Sequence, residues 1–197
     1  NRATRSRVID SIVIHDRKGA AMAVDHLVGL GHRKIAHITG GRGAGARNRL
    51  TGYRQAMKRH GLEGEIRVVP GAYTEEGGAE GVGRLMAEGV EFTAIIAPND
   101  LAALGVLEAL GATGLRVPDD VSVVGYDDTF LAGLGHIDMT SYQRELGESQ
   151  AERAGDLPPA QAVEMLIERA DGKRNSTNHI VLEPTLSIRS STAPPPA

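Results

Sequence analysis

The chain has 197 residues, 41% apolar, 24% charged and only 3% aromatic, and its 22 Lys and Arg against 25 Asp and Glu give a formal net charge of −3. That length suits one or two α/β domains with a real core, while the absence of Cys excludes a disulfide scaffold, a thiolate-held metal or cluster, and thiol catalysis. No apolar run approaches the ~20 residues of a bilayer span, no apolar stretch follows the charged start Asn1–Arg7 as in a secretory signal, and a mildly acidic chain lacks the basic excess of a self-sufficient nucleic-acid binder. The expectation is a soluble, cytoplasmic domain.

In chain order, short β-branched runs alternate with helical patterns. Strands are predicted at Ser11–Ile14, Lys34–Ile38, Ile66–Val69, Ala94–Ala97 and Val121–Val124. All are mostly apolar on both faces, as strands buried between helix layers are. Between them run stripes at helical spacing: Ala20, Ala23, Val24, Leu27 and Val28 before Gly31; Leu50, Tyr53, Ala56 and Met57 before Gly61; Ala79, Val82, Leu85 and Met86 before Gly89. Leu101–Leu110 is apolar almost all round and should be buried on more than one side. This alternation predicts right-handed βαβ units and a doubly wound parallel sheet. It breaks after Asp127-Asp128. A possible strand at Met139–Gln143, a helix opening at Pro159 or Ala160 and ending at Gly172, and strands at His179–Leu182 and Thr185–Ile188 follow. The Ser- and Pro-rich tail reads as disordered.

In such a sheet, ligands bind beyond the carboxyl ends of the strands. The polar residues falling there are Arg49, Tyr73, Asn99 and Asp127. A forked guanidinium, a ring, an amide and a carboxylate are the groups that read a small polyhydroxylated molecule. Two neighbours have structural readings: Asp100 as a helix N-cap and Asp128 as a turn residue. Gly40–Gly45 lies between a strand and a helix, but its spacing is not the dinucleotide G-x-G-x-x-G, and no acidic residue ends the next strand. A flexible loop at the cleft mouth is the better reading. His15, His26, His32 and His37 follow no metal-ligand spacing, and His32 sits past a helix end where a basic residue suits the dipole. No G-x-S-x-G elbow is present, and the rim carries recognition groups without a base or nucleophile, so the chain reads as a binding protein without cofactor, not an enzyme.

Four segments resemble signatures of the lactose/galactose-repressor (LacI/GalR) family of bacterial transcription regulators: Asp25–Ala36, Arg49-Leu50-Thr51-Gly52-Tyr53-Arg54, Asn99-Asp100 through Gly105, and Val117–Asp128. They stand in the family's order and spacing, and Leu182-Glu183-Pro184 through Arg189-Ser190 resembles its usual ending. The resemblance implies an α/β, periplasmic-binding-protein-like (type I) effector domain of two lobes that also dimerises, behind a helix-turn-helix segment that contacts operator DNA. Neither that segment nor most of the first lobe is in this chain, which reads as an N-terminally truncated piece. Residues 12–137 and 178–190 are then expected to form the second lobe, 1–11 and 138–177 the crossover and first-lobe remnant, and 191–197 a disordered tail. Val163, Leu166 and Ile167 should lack their usual cover. By the same resemblance Arg49, Asn99 and Asp127 grip effector hydroxyls, Tyr73 forms an aromatic wall, and Asn1 is a polar group at the lobe boundary. Arg144 stands where the family usually has Gln, and Gly147–Pro159 is longer than the pattern. The function implied is effector sensing, with a sugar or sugar derivative as effector, and homodimerisation in a DNA-binding repressor. A periplasmic sugar-binding protein of a transport system is the alternative.

Overall fold

Strands that are apolar on both faces need cover on both, and the helices of the computed structural model supply it. The structure describes residues 9–144, 158–174 and 176–196. Its strands are β1 (Ser11–Ile14), β2 (Ile35–Thr39), β3 (Arg67–Pro70), β4 (Ala94–Ile96), β5 (Ser122–Tyr126), β6 (Ser141–Arg144), β7 (His179–Leu182) and β8 (Pro184–Ser187). Its helices are α1 (Asp16–Gly29), α2 (Ala44–Arg59), α3 (Glu75–Ala87), α4 (Asp100–Ala112) and α5 (Pro158–Ala170). Six strands form the main sheet in the order β3-β2-β4-β5-β6-β8, parallel except that β8 runs antiparallel to β6.

The pleat divides the core in two. Ile35, Ala94, Ile96, Val124 and Tyr126 pack against Ala20, Ala23, Val24 and Leu27 of α1 and Tyr53, Ala56 and Met57 of α2. Ala36, Ile38, Ile95 and Val123 face the other way, onto Val82 and Leu85 of α3 and Ala103, Val106 and Leu110 of α4. The sheet is therefore doubly wound, as the alternation predicts. Gly31 and Gly61 follow the ends of α1 and α2 at φ of 106° and 72°, a conformation side chains with a Cβ rarely adopt. In α4 the expectation holds for most of the helix, but Leu101 is 40% exposed.

Three expectations need correction. First, β1 is not in the main sheet; it pairs in parallel with β7, from Ser11↔His179 to Ile14↔Leu182. Second, β6, assigned above to the crossover, joins the main sheet between β5 and β8. Strands β1 and β7 thus form a two-stranded sheet separate from the six-stranded one. Third, the tail is docked, not disordered. Ser191 O accepts from Val123 N (2.9 Å) and its Oγ donates to Val123 O (2.7 Å). Thr140 N donates to Ser191 Oγ (2.8 Å), and Ala193 N to Ser122 Oγ (3.0 Å). The small hydroxyl side chains that suggested disorder are the groups that anchor the segment to β5. On α5, Val163, Leu166 and Ile167 are 54%, 68% and 53% exposed, an uncovered apolar face as expected. Among the described residues no helix is long and apolar enough to cross a membrane.

Candidate functional site

Arg49 lies on the buried face of α2, in line with Ala46 and Tyr53, so helical spacing carries a cation inward beyond the end of β2. It is 5% exposed. Nη1 donates to Asp16 Oδ1 at 3.0 Å, Nη2 donates to the Tyr73 hydroxyl, and the guanidinium carbon lies 4.3 Å from the Tyr126 ring centroid and 5.4 Å from that of Tyr73. The Tyr126 hydroxyl donates to the same Asp16 oxygen at 3.0 Å. Burial works against the Arg49 charge, but Tyr142, Tyr73, Asp16 and Tyr126 outweigh it and hold the group protonated. Three of the chain's four tyrosines thus surround one arginine.

Tyr73 reaches this position because Gly40 makes room: a Cβ there would lie 2.2 Å from two ring carbons. The glycine-rich loop therefore seats the aromatic wall, and it ends in Gly43, which precedes α2 without a capping side chain. Asn99 joins the same rim, with Nδ2 donating to Tyr73 O at 3.3 Å. Its Oδ1 accepts from Ala102 N at 2.9 Å, so Asn99 is the N-cap of α4, the role expected of Asp100.

Asp100 instead is fully buried. It accepts from Ser141 Oγ (2.6 Å), Thr129 N (2.6 Å) and Thr129 Oγ1 (2.9 Å), tying the loop after β5 to β6. Burial pushes its carboxyl up to about 6 despite these bonds. Asp128 is more than a turn residue: its carboxylate accepts from Ser187 Oγ (2.7 Å) and pairs with Arg189 (2.7 Å). Asp127 is in the left-handed region (φ 97°), with its N–H donating to Tyr142 O at 3.0 Å. Asp127 adjoins the Arg49 cluster because it follows Tyr126 in the chain and its backbone bonds to Tyr142; burial first raises the pKa values of Tyr126 and Tyr142, and the Asp127 charge adds to both.

Arg49, Tyr73 and Asn99 are thus linked directly, and Asp127 adjoins them. Arg144 is in β6, but its side chain, like the whole of Asn1, lies outside the described residues. Asp16, Tyr126 and Tyr142 were not among the expected site residues. Asp16 follows β1 as the other rim residues follow their strands, and that rule would have found it.

The histidines have other tasks. His32, expected to act as a charged group at a helix end, is buried. Its Nε2 lies 2.8 Å from Ala193 O and its Nδ1 2.9 Å from Thr93 Oγ1, and burial lowers its pKa. His37 stacks on Tyr53 at 5.2 Å, and burial first, then Arg49, lowers its pKa to about 4. Among the described residues no group of three His, Asp or Glu is placed to hold a metal.

A doubly wound sheet with recognition groups gathered at its strand ends defines a ligand-binding domain, and residues 24–192 match the family model of the periplasmic binding protein-like domain. A crystal structure of a LacI transcriptional regulator from a Rhodococcus species superimposes with a TM-score of 0.86 at 38% identity, covering 98% of this chain and 68% of that one. The HTH-type transcriptional regulator DegA of Bacillus subtilis is 36% identical over 188 residues, covering 94% of this chain and 53% of its own length. The structure of a transcriptional regulator CelR–cellobiose complex matches with a TM-score of 0.81 at 30% identity, over 96% of this chain and 56% of that one. The chain belongs to the LacI family of transcriptional regulators, whose periplasmic-binding-protein-like effector-binding domain it carries in part; it is a binding protein, not an enzyme. It spans about half the length of the curated relatives it matches.

Proposed function

We propose that this chain is the effector-sensing and self-associating part of a cytoplasmic, DNA-binding transcriptional repressor, with a sugar or sugar derivative as effector. Operator contact is made by a helix-turn-helix segment outside this chain. The observation that carries the reading is the Arg49 cluster. A cation held in place by Asp16 and Tyr73 is ready to donate to ligand hydroxyls without reorganising. Asp127 accepts from hydroxyls, Tyr73 covers an apolar sugar face, and the Asn99 amide has a second N–H to offer. The family resemblance adds Asn1 and Arg144 to this set. The cellobiose complex of CelR supports a sugar as the ligand class. Self-association is supported by the apolar side chains of Leu101 and Phe130, 40% and 70% exposed.

Calorimetry of the full-length protein with cellobiose, glucose and ribose tests the site. A charge-assisted hydrogen bond removed from a ligand costs about 1.5–3 kcal/mol, or roughly ten- to a hundred-fold in affinity. Asp127→Ala should weaken sugar binding at least tenfold while operator binding persists, because the effector acts by favouring one arrangement over another. Unchanged affinity in both Asp127→Ala and Arg49→Ala would move the site elsewhere.

A further inference from the structure

Asp100 is an unexpected residue for its position. It opens α4, but Asn99 already caps that helix, and the Asp100 side chain is fully buried. Its hydrogen-bond partners among the described residues are hydroxyls and an amide, with no cation to balance the charge. Burial therefore disfavours the ionised form, and at neutral pH an amide of the same shape would cost the fold less. The sheet also makes room for the carboxylate: a Cβ on Gly125 of β5 would lie 2.4 Å from Asp100 Oδ1.

What this carboxylate holds is the turn that carries Asp127. Asp127 and Asp128 are both in the left-handed region, at φ of 97° and 43°, which residues with a Cβ enter only at a cost. Each successive N–H of the turn is held from outside it. Asp127 N donates to Tyr142 O (3.0 Å), Asp128 N to Ser141 Oγ (3.1 Å) and Thr129 N to Asp100 Oδ2 (2.6 Å). The same Ser141 hydroxyl donates onward to Asp100 Oδ1 at 2.6 Å, and Thr129 Oγ1 donates to Oδ2 at 2.9 Å. Asp100 thus fixes the end of the turn directly and its middle through Ser141. An Asn could keep the two Thr129 bonds with its oxygen, but it would turn an N–H toward Ser141 and leave that hydroxyl proton without its acceptor.

We propose that Asp100 is a positioning residue of the effector site: bonded to Thr129 and Ser141, its carboxylate holds the turn in the conformation that presents Asp127 to the effector. This rests on the reading of Asp127 as an effector-binding group. Asp100 is buried and does not itself meet the ligand, so its whole effect on binding passes through Asp127.

A double-mutant cycle in the full-length protein tests it, with calorimetry against cellobiose, glucose and ribose at pH 7.5. Asp100→Asn should leave the melting temperature equal to or above the parent's while weakening sugar binding about three- to thirty-fold, the effect of one charge-assisted hydrogen bond lost from the support of the turn. In an Asp127→Ala background the same substitution should weaken binding no further. Thr129→Val, which removes one of the donors to Asp100, should also weaken binding, and Thr129→Ser, which keeps both, should restore it. Parental affinity in Asp100→Asn would overturn the proposal. So would a loss that persists in full without the Asp127 carboxylate, or a Thr129→Ser protein that binds no better than Thr129→Val. If Asp127→Ala weakens binding and Asp100→Asn does not, only this inference fails. If neither does, or if the parent binds none of the three sugars, the site reading fails and the inference with it.

Discussion

Asp16→Ala should be the most damaging single change at the rim. The Arg49 and Asp16 side chains are 7% and 11% exposed and 3.0 Å apart, so water can replace neither partner. Removing the carboxylate strands a nearly dry guanidinium and also takes the acceptor from Tyr126. The tyrosine faces at 4.3 and 5.4 Å compensate for only about 0.5–2 kcal/mol of the lost attraction. Breaking one side of a buried pair costs about 3–5 kcal/mol, so with the rings in place the expected destabilisation is about 3 kcal/mol. Arg49→Met removes the cation and leaves Asp16 bonded to Tyr126, which should cost less. In the double variant both charges are gone, and its destabilisation should fall short of the sum by about 2 kcal/mol. Urea midpoints and m-values of the four proteins at pH 7 give this coupling directly. An Asp16→Ala protein within about 0.5 kcal/mol of the parent, or a coupling near zero, would show that the pair is solvated and that Arg49 is not held in place.

Acidification should expose two buried groups of opposite sign. His37 stays neutral in the fold down to about 4 but protonates near 6.5 when unfolded, so its contribution is full above pH 6.5 and is lost as pH falls toward 4. Asp100 takes its proton at about 6 in the fold and at 3.8 when unfolded, so its contribution grows as pH falls from 6 to 3.8. Each is worth about 3 kcal/mol; relative to the parent, Asp100→Asn should therefore lose stability between pH 6.5 and 4 and His37→Phe should gain it, and parallel pH profiles would refute both assignments. Ser191→Ala should cost about 2 kcal/mol in urea unfolding, because it leaves the buried Thr140 N–H and one Val123 bond unmade; a change below about 0.5 kcal/mol would return the tail to the disordered state first expected.

The sheet was legible because burial on both faces leaves a plain mark: five apolar runs, the first four each followed by a segment at helical spacing. The rim residues Arg49, Tyr73 and Asn99 were legible by the same logic, since a parallel sheet aims every strand end at one edge. What periodicity cannot convey is pairing between distant segments. Nothing local distinguishes β1 from the strands of the main sheet; only its partner, β7, some 168 residues on, does so, as the Ser11–His179 contact shows. The Ser191 segment has the composition of a disordered tail, and its order comes from vacant backbone positions beside Val123 that no reading of the tail itself can reveal. Tyr142 was read as part of a possible strand, but which face carries it, and that Gly19 leaves space for its ring, depend on β6 entering the sheet beside β5.

The same distinction separates the roles within the site. Asn99 is positioned by local chemistry: its side chain caps α4, so an Asn is required there with or without a ligand, and its presence alone says little about binding. Arg49 is different. A helix needs no arginine on its buried face, and the fold supplies a carboxylate from α1 and rings from β5 and the loop after β3 to keep one there. An arrangement that draws on three separate elements to hold a single cation dry and oriented is costly unless that cation has something to bind. Arg49 and Asp16 together therefore point to a ligand at this rim more strongly than does the number of polar residues that line it.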